Sequence, residues 1–580
     1  HKEYRRQRQM CIRDRTYILV GAAMVGFSGC LDDDNNYNYS EVNALVGKEI
    51  TGMKAEYLLA FEEEVTITPT FEFTIDKEKP DVSYEWRLDG VLLPEETGPS
   101  CTFSFERGGV HEVTYTVIDN KTGVKFSRSC TLRVRSPFAR GWLILSEDGA
   151  QNSQLSFVGA SSINYKLTVT NGTEVAEIDR DSLVYNQVVE NVLPGLGSHP
   201  KGLLLNAGYL SEYGEVLEIP DEVIVMQDRW AELNGITLER EVYTDEEFRG
   251  DLPQNFAPVS AAMTYSGKAL LNSDGYIYWA SMVTHKDFHS CGYTSVPLGK
   301  NRKFKGLYQS YKVNRYHGVM PVFTEDNEIA GLIDDAIPAY RTPDILEISS
   351  YSSQVYSVQT GEDSEAPVDE RYKLEDGWKI LAMMPASSND AGYQDTKPGW
   401  VAIINNGSQY KLLYFQWKMG TARYYSRIST ISFEEYELNG LTGFTDMAVF
   451  NNKKYVVIAN GNDLYYFQYG AGNGAALKKL HTFNSPVKSL AANDIYVFYS
   501  RSYPVSWQPE HNGQLGVALE DNTFSIYEVW ETEDSKAVAT DVKINQLFPD
   551  PANPVTNNFG KIVDVHYKYG SVGEFLEFKY

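Results

Sequence analysis

Along most of this chain apolar positions alternate with polar ones, the period of a strand with one face buried. Val65, Ile67, Phe71, Phe73 and Ile75 alternate across an interruption at Pro69. Val82–Leu88 ends in a turn at Asp89-Gly90, and Cys101, Phe103 and Phe105 alternate after it. Val113, Tyr115 and Val117 run into the turn Asp119–Gly123, and Phe126, Cys130, Leu132 and Val134 share one face of a last strand. Short strands cut by Gly, Asn and Asp turns predict a β-sandwich over residues 58–135.

Beyond Ser136-Pro137 the pattern changes to a recurring unit over residues 136–580. An apolar strand meets an Asn/Asp/Gly turn and then a strand loaded with aromatics. Val401–Ile404 turns at Asn405-Asn406-Gly407 into Tyr410–Trp417, Tyr455–Ala459 at Asn460-Gly461 into Leu464–Tyr469, and Leu515–Leu519 at Glu520–Asn522 into Phe524–Trp530. Earlier copies are looser: Val223–Met226 toward Ile236–Leu238, and Ala269–Leu271 into Tyr276–Trp279. Turns at Asn405, Asn460 and Asp521, 55 and 61 residues apart, leave room for about seven or eight units. Units of four short strands predict an all-β chain ending in a β-propeller, because one such sheet cannot bury both its faces and a closed ring of them can. A pair of stacked β-sandwiches is the alternative. Lys561–Tyr567 is too short to start another unit and is expected to close the ring on the first blade.

One stretch departs from alternation. Thr16–Phe27 is an apolar run ending in Ser28-Gly29-Cys30 and followed by Leu31-Asp32-Asp33-Asp34. It is shorter than the roughly 20 apolar residues of a membrane-spanning helix, and it fits the apolar region of a signal peptide over residues 1–30. Small residues just before a Cys suit a peptidase, and the Cys30 thiol is then the lipidation site. Within residues 1–15, RQRQMCIRDR resembles translated sequencing-adapter sequence, so Cys11 is given no role and the natural start is expected near Thr16. Residues 31–57, opening DDDNNYNYSE after Leu31, are polar and acidic and are expected to be a flexible tether.

The formal net charge is −26, and residues 1–29 hold six basic and two acidic side chains, so the body without them is more acidic still. That excludes nucleic acid, whose phosphates need basic patches, and adhesion to anionic lipid without a covalent tether. The 40 Tyr suit strands and also offer rings that stack on sugars or bury peptide side chains.

Two family resemblances rest on these residues. The Tyr84-x-Trp86 strand, followed by Gly109–Asp119 with its Tyr-x-Val-x-Asp ending, resembles an immunoglobulin-like PKD module, with Arg87–Gly90 in place of the usual Asp-Phe-Gly-Asp-Gly. Trp86 is then a core plug. The Asp run after Cys30 resembles the surface-export signal of Bacteroidota-type lipoproteins. The order of lipidated Cys, acidic run, PKD-like module and Gly141-Trp142-Leu143-Ile144-Leu145-Ser146-Glu147-Asp148 entry resembles the PKD-like family of surface lipoproteins. That resemblance implies an outer-membrane, lipid-anchored, cell-surface protein beside a SusC/SusD-like importer, a non-catalytic accessory binding oligosaccharide or peptide nutrients.

Catalytic motifs are absent: no His-Glu-x-x-His, no Gly-x-Ser-x-Gly, no phosphate loop and no calcium loop. No cofactor or metal is expected. His285, His289 and Cys291 have a ligand-like spacing but lie between strands and read as loop. Asp390, Asp395, Asp334, Asp335 and Glu362–Glu365 read as solvated acidic loops. Cys101 and Cys130 sit on apolar strand faces, as a disulfide allowed by export or as two buried free thiols. Tyr293, Tyr308, Tyr316, His317 and Tyr340 fall in irregular segments and are the candidate ligand-binding residues. The alternative function is a propeller-type hydrolase or lyase, its carboxylates and His drawn from different blades; an adhesin is a third.

Overall fold

The structure is a computed structural model that describes residues 42–60, 63–105, 109–134, 137–138, 140–171, 174–206, 208–210, 222–263, 267–281, 292–298, 302–309, 319–333, 354–360, 373–386, 399–419, 428–450, 454–470, 476–493, 513–533, 539–552, 557–568 and 571–573. Apart from two short 3₁₀ turns, all regular structure among these residues is strand.

Seven strands build the N-terminal sandwich: β1 (Glu56–Leu59), β2 (Val65–Ile67), β3 (Val82–Leu88), β4 (Val91–Leu92), β5 (Cys101–Phe103), β6 (Gly109–Asp119) and β7 (Lys125–Val134). One sheet has the order β1-β7-β6-β3-β4, with β1 parallel to β7; the other pairs β2 with β5. Asp89 and Gly90 both have positive φ, the conformation of a tight hairpin turn. Trp86, Val113, Tyr115, Val117 and Leu132 are fully buried. The Trp86 ring lies 4.8 Å from that of Tyr115, and its Nε1 donates to Gly98 O at 3.0 Å. Asp119 accepts from the Thr122 hydroxyl (2.8 Å), Lys121 N (3.0 Å) and Asn43 Nδ2 (3.2 Å), so the Asp of the Tyr-x-Val-x-Asp pattern locks the turn after β6. Burial opposes its charge, but these donors outweigh burial and hold its carboxyl below the usual range.

Two expectations are corrected here. The strand expected over Val65–Ile75 stops at Ile67; Thr70 and Phe73 make only isolated bridges and Ile75 is exposed, since Pro69 cannot donate to a ladder. Of the tether expected over 31–57, residues 42–57 are part of the sandwich, and residues 31–41 lie outside the described residues. Leu45 and Thr51 bridge to Phe73 and Thr70, Asn43, Ile50 and Met53 are buried, and Arg128 donates to the carbonyls of Ile50 and Met53. The apolar residues of this segment are too sparse to show a period.

From residue 141 on, four-strand antiparallel ladders succeed one another. The first joins Lys561–Lys568, Gly141–Glu147, Asn152–Asn171 and Glu174–Val189; the second Gly202–Asn206, Glu222–Met226, Ala231–Asn234 and Arg240–Tyr243. The third joins Pro258–Met263, Gly267–Asn272, Ile277–Ser281 and Tyr293–Thr294; the fourth Phe304–Leu307, Val319–Thr324, Ile329–Ile333 and Gln354–Thr360. The fifth joins Lys379–Ala386, Gly399–Asn405, Tyr410–Met419 and Ile428–Glu437; the sixth Asp446–Phe450, Tyr455–Asn460, Asp463–Gln468 and Lys478–Thr482. The seventh joins Val487–Asn493, Gln514–Leu519, Phe524–Glu533 and Ala539–Phe548. The last strands of the fourth and fifth also pair, in parallel. Lys561–Lys568 pairs with Gly141–Glu147, the first strand of the repeat region, as expected. The strand facing Val223–Met226 is Ala231–Asn234, and Ile236–Leu238 lies in the turn beyond it, because the looser copy lacks a Gly to mark the hairpin.

The second strand of each sheet reads as a nearly unbroken apolar run because both its faces are buried. Trp400, Ala402 and Ile404 enter one core while Val401 and Ile403 enter the next. Each core therefore belongs to two successive sheets. Leu143 and Val223 share the core of the first and second, Ile224 and Leu270 that of the second and third, and Ala269 and Met320 that of the third and fourth. Val319 and Phe415, Val401 and Met447, and Val457 and Leu490 share the cores of the following pairs. Ile526 of the seventh meets Trp142 and Val565 of the first, so the series of packing interfaces returns to its start.

This last interface depends on a close approach. A Cβ at Gly516 would stand 2.4 Å from the Trp142 ring. Gly516→Ala is expected to lower stability by about 1–3 kcal/mol through overpacking, read as a lower denaturant midpoint. An unchanged midpoint would show that the first and seventh sheets do not depend on this contact.

Candidate functional site

The first-named strand of a sheet, its leading strand, carries a repeated irregularity in five of the seven sheets. In the third, fourth, fifth, seventh and first sheets the ladder slips by one residue near the strand start, between Pro258 and Ser260, Phe304 and Gly306, Ile380 and Ala382, Val487 and Ser489, and Ile562 and Asp564. A bulge sets two residues against one and re-aims the next side chain. The skipped apolar residues Val259 and Leu381 are exposed, and the residues after the slip are all small or polar.

In one sector these residues make a bonded group. Asp446, leading the sixth sheet, accepts Leu490 N of the seventh at 2.8 Å. Ser489 donates to Asp564 Oδ1 of the first at 3.0 Å, and Asp564 Oδ2 accepts Leu203 N of the second at 2.8 Å. His566 Nε2 stands 3.4 Å from Asp564 Oδ2, with its side chain 37 % exposed. Four consecutive sheets, sixth to second, are thus riveted through two carboxylates and one hydroxyl, with the imidazole against one of the carboxylates. Between the third and fourth sheets the link from a leading strand is neutral: Ser260 donates to Leu307 O at 2.8 Å.

The electrostatics follow from crowding. Burial, with Asp564 nearby, pushes the Asp446 carboxyl up to about 6 against the help of Leu490 N. Burial also opposes charge on Asp564, but the charge and hydrogen bond of His566, Leu203 N and Ser489 hold its carboxyl low. Burial disfavours the imidazolium, yet Asp564 and then Asp446 outweigh it and raise His566. The Ser489 hydroxyl is bonded to a carboxylate and not to an imidazole, so the group lacks the nucleophile–base contact of acyl transfer. Its chemistry is that of a proton-holding, anionic sector with one exposed ring. The sequence signal was Asp564-x-His566, two titratable residues on one face of a strand noted only for closing the ring; Asp446 and Ser489 carried none.

A second polar group is fully enclosed. Lys268, on the third sheet, is 0 % exposed, and its Nζ meets Glu232 Oε2 at 2.5 Å, Glu247 Oε2 at 2.6 Å and Glu222 Oε1 at 3.4 Å. Thr244 donates to Glu232 Oε1 at 2.7 Å. Burial, then the Glu232 charge, raises Glu247 to about 8 although Lys268 opposes it.

Of the ligand candidates, Tyr293 is a core residue, 0 % exposed and stacked on Phe248 at 5.1 Å, because its strand lies inside the third sheet. Tyr308 is half-buried against the core between the fourth and fifth sheets. Tyr316, His317, Tyr340, Cys30, His285, His289 and Cys291 lie outside the described residues. Cys101 and Cys130 are buried free thiols in different sheets, and no bridge joins them; burial pushes Cys101 up to about 12 and raises Cys130 as well. Among the described residues no group of His, Cys, Asp and Glu can hold a metal ion, and no helix is long and apolar enough to cross a membrane.

Residues 30–181 match the model of the PKD-like family, a range that starts at Cys30, takes in the sandwich and runs into the fourth strand of the first sheet. No curated protein matches the chain. Among solved structures, a quinonprotein alcohol dehydrogenase-like protein from Bacteroides thetaiotaomicron is 10 % identical, with 66 % of this chain and 95 % of that one covered and a TM-score of 0.20. A mitotic checkpoint complex chain is 10 % identical over 65 % of this chain and 87 % of its own, TM-score 0.29. Human WBSCR16 is 12 % identical over 56 % and 69 %, TM-score 0.24. Overlaps this slight carry nothing about activity. The chain is an all-β protein with a PKD-like module at its N-terminus.

The riveted sector sets a pH dependence. Asp446 and His566 are both raised, so the stability they contribute is full below their unfolded values and is lost as pH rises through their folded ones. Asp564 is lowered, so its contribution is present above its unfolded value and lost in stronger acid. Thermal stability is expected to fall as pH rises from about 4, the free carboxyl value, through the folded value of Asp446 near 6, and Asp446→Asn is expected to flatten that fall. Parallel profiles for the two proteins in a pH series of melting curves would refute the assignment.

Proposed function

We propose that this chain is a surface-exposed, lipid-anchored outer-membrane protein, a non-catalytic accessory or binding component of a SusC/SusD-like uptake system for oligosaccharides or peptides. Its repeat region is read as a seven-bladed β-propeller. The observation that carries this reading is the family match beginning at Cys30, the residue that the apolar run and acidic tail mark for lipidation. The closing series of seven packing interfaces supports the propeller, since each sheet then buries both faces. The bonding of Ser489 to Asp564 supports a binding role over acyl transfer.

A second reading is favoured by one observation. Asp446 of the sixth sheet lies within electrostatic reach of Asp564 and His566 of the first, two carboxyls and an imidazole of the kind a hydrolase or lyase of propeller type needs. Asp564 and Asp446 both accept protein donors, which leaves the exposed His566 ring to serve such chemistry.

Purification of the full protein from outer membranes is expected to recover a SusC/SusD-like pair, and Cys30→Ala is expected to release it from the membrane fraction. Recovery without any transporter component would overturn the accessory role; retention of the Ala variant would overturn the anchor. Turnover of a glycan or peptide library, lost in Asp446→Asn, would establish the hydrolase instead.

A further inference from the structure

The Lys268 group is more than a buried ion pair. One ammonium faces three carboxyls with no access to water, and the surrounding core is aromatic: Tyr293, Tyr278 and Trp230 are all buried there. Three carboxylates and one ammonium carry an excess of negative charge that an interior does not tolerate, so the group holds protons. Glu247 is the carboxyl that burial and Glu232 keep in its acid form at neutral pH. Its Oε1 is buried without a hydrogen-bond partner.

Such an arrangement contains the parts of a condensation: an amine, a carboxylic acid in contact with it, and a second carboxylate to move protons. We propose that Lys268 and Glu247 condense spontaneously into an amide, a covalent cross-link between the third sheet and the turn that follows the second. Glu232, 2.5 Å from Nζ, first takes a proton from the ammonium. The neutral amine then attacks Cδ of the Glu247 acid. Glu232 returns a proton to the departing hydroxyl, which leaves as water, and receives one from the new C–N nitrogen. The Nζ–Cδ bond forms and the Cδ–OH bond breaks. Three ammonium hydrogens and one acid hydrogen end as one amide hydrogen, two in water and one on Glu232, with no change in oxidation state or net charge. Contact geometry supplies the proximity. The driving force is the replacement of buried charge by a neutral amide.

Peptide mapping of the full protein, denatured and digested with trypsin, tests this. The expected result is that Lys268 resists cleavage, and that its peptide is recovered joined to the Glu247 peptide at a mass one water below their sum. In Glu232→Gln the same two peptides are expected separately, with Lys268 cleaved, while the folded protein keeps its native circular dichroism. Complete cleavage at Lys268 in the wild-type protein, with both peptides unlinked, would overturn the proposal. A link from Lys268 to Glu232 would overturn the assigned roles. Should Glu232→Gln not fold, the wild-type map alone decides.

Discussion

The ladder between Lys561–Lys568 and Gly141–Glu147 is the constraint on which the repeat region depends. It pairs the last long strand with the first, more than 400 residues apart, and so carries a large loop-closure cost. Without it the first sheet lacks its leading strand, and the core holding Trp142, Ile144 and Val565 loses one wall. In the other ladders from residue 202 to 548 each strand pairs antiparallel with the one described before it or after it in the ladder. At this seam the Trp142 ring meets Tyr185, Phe524 and Tyr567.

The charged group on the leading strands sits at that same seam. Asp564 and His566 are on the closing strand itself, and their bonds reach the second and seventh sheets. The exposure of the His566 ring makes this sector the place where solvent pH and the closure of the cycle act on each other. A candidate binding site and a structural rivet are here the same residues, which is why their substitution has to be read with a stability measurement alongside.

Legibility in the sequence followed locality. Turns such as Asn405-Asn406-Gly407 and Asp89-Gly90 were plain because positive φ and side-chain capping write themselves into residue type. Trp86 was readable as a core residue from its strand pattern. Tyr293 was not: a short strand in an irregular stretch shows no period, and only its pairing in the third sheet puts it in the core. The Lys268 group was invisible, since Glu222, Glu232, Glu247 and Lys268 each look like ordinary charged residues in strands or turns. Nothing in their spacing shows that two sheets fold onto one another to enclose all four.

By itself, then, the sequence determined the strand class, the turn positions and the order of sandwich and repeat, because each is set by neighbours along the chain. The tertiary structure alone decided which sheets share a core, that residues 42–57 join the sandwich, that Cys101 and Cys130 stay unbridged, and which carboxyls meet Lys268 and His566. Those outcomes depend on register slips and on contacts between residues far apart in the chain, and a pattern of period two does not encode either.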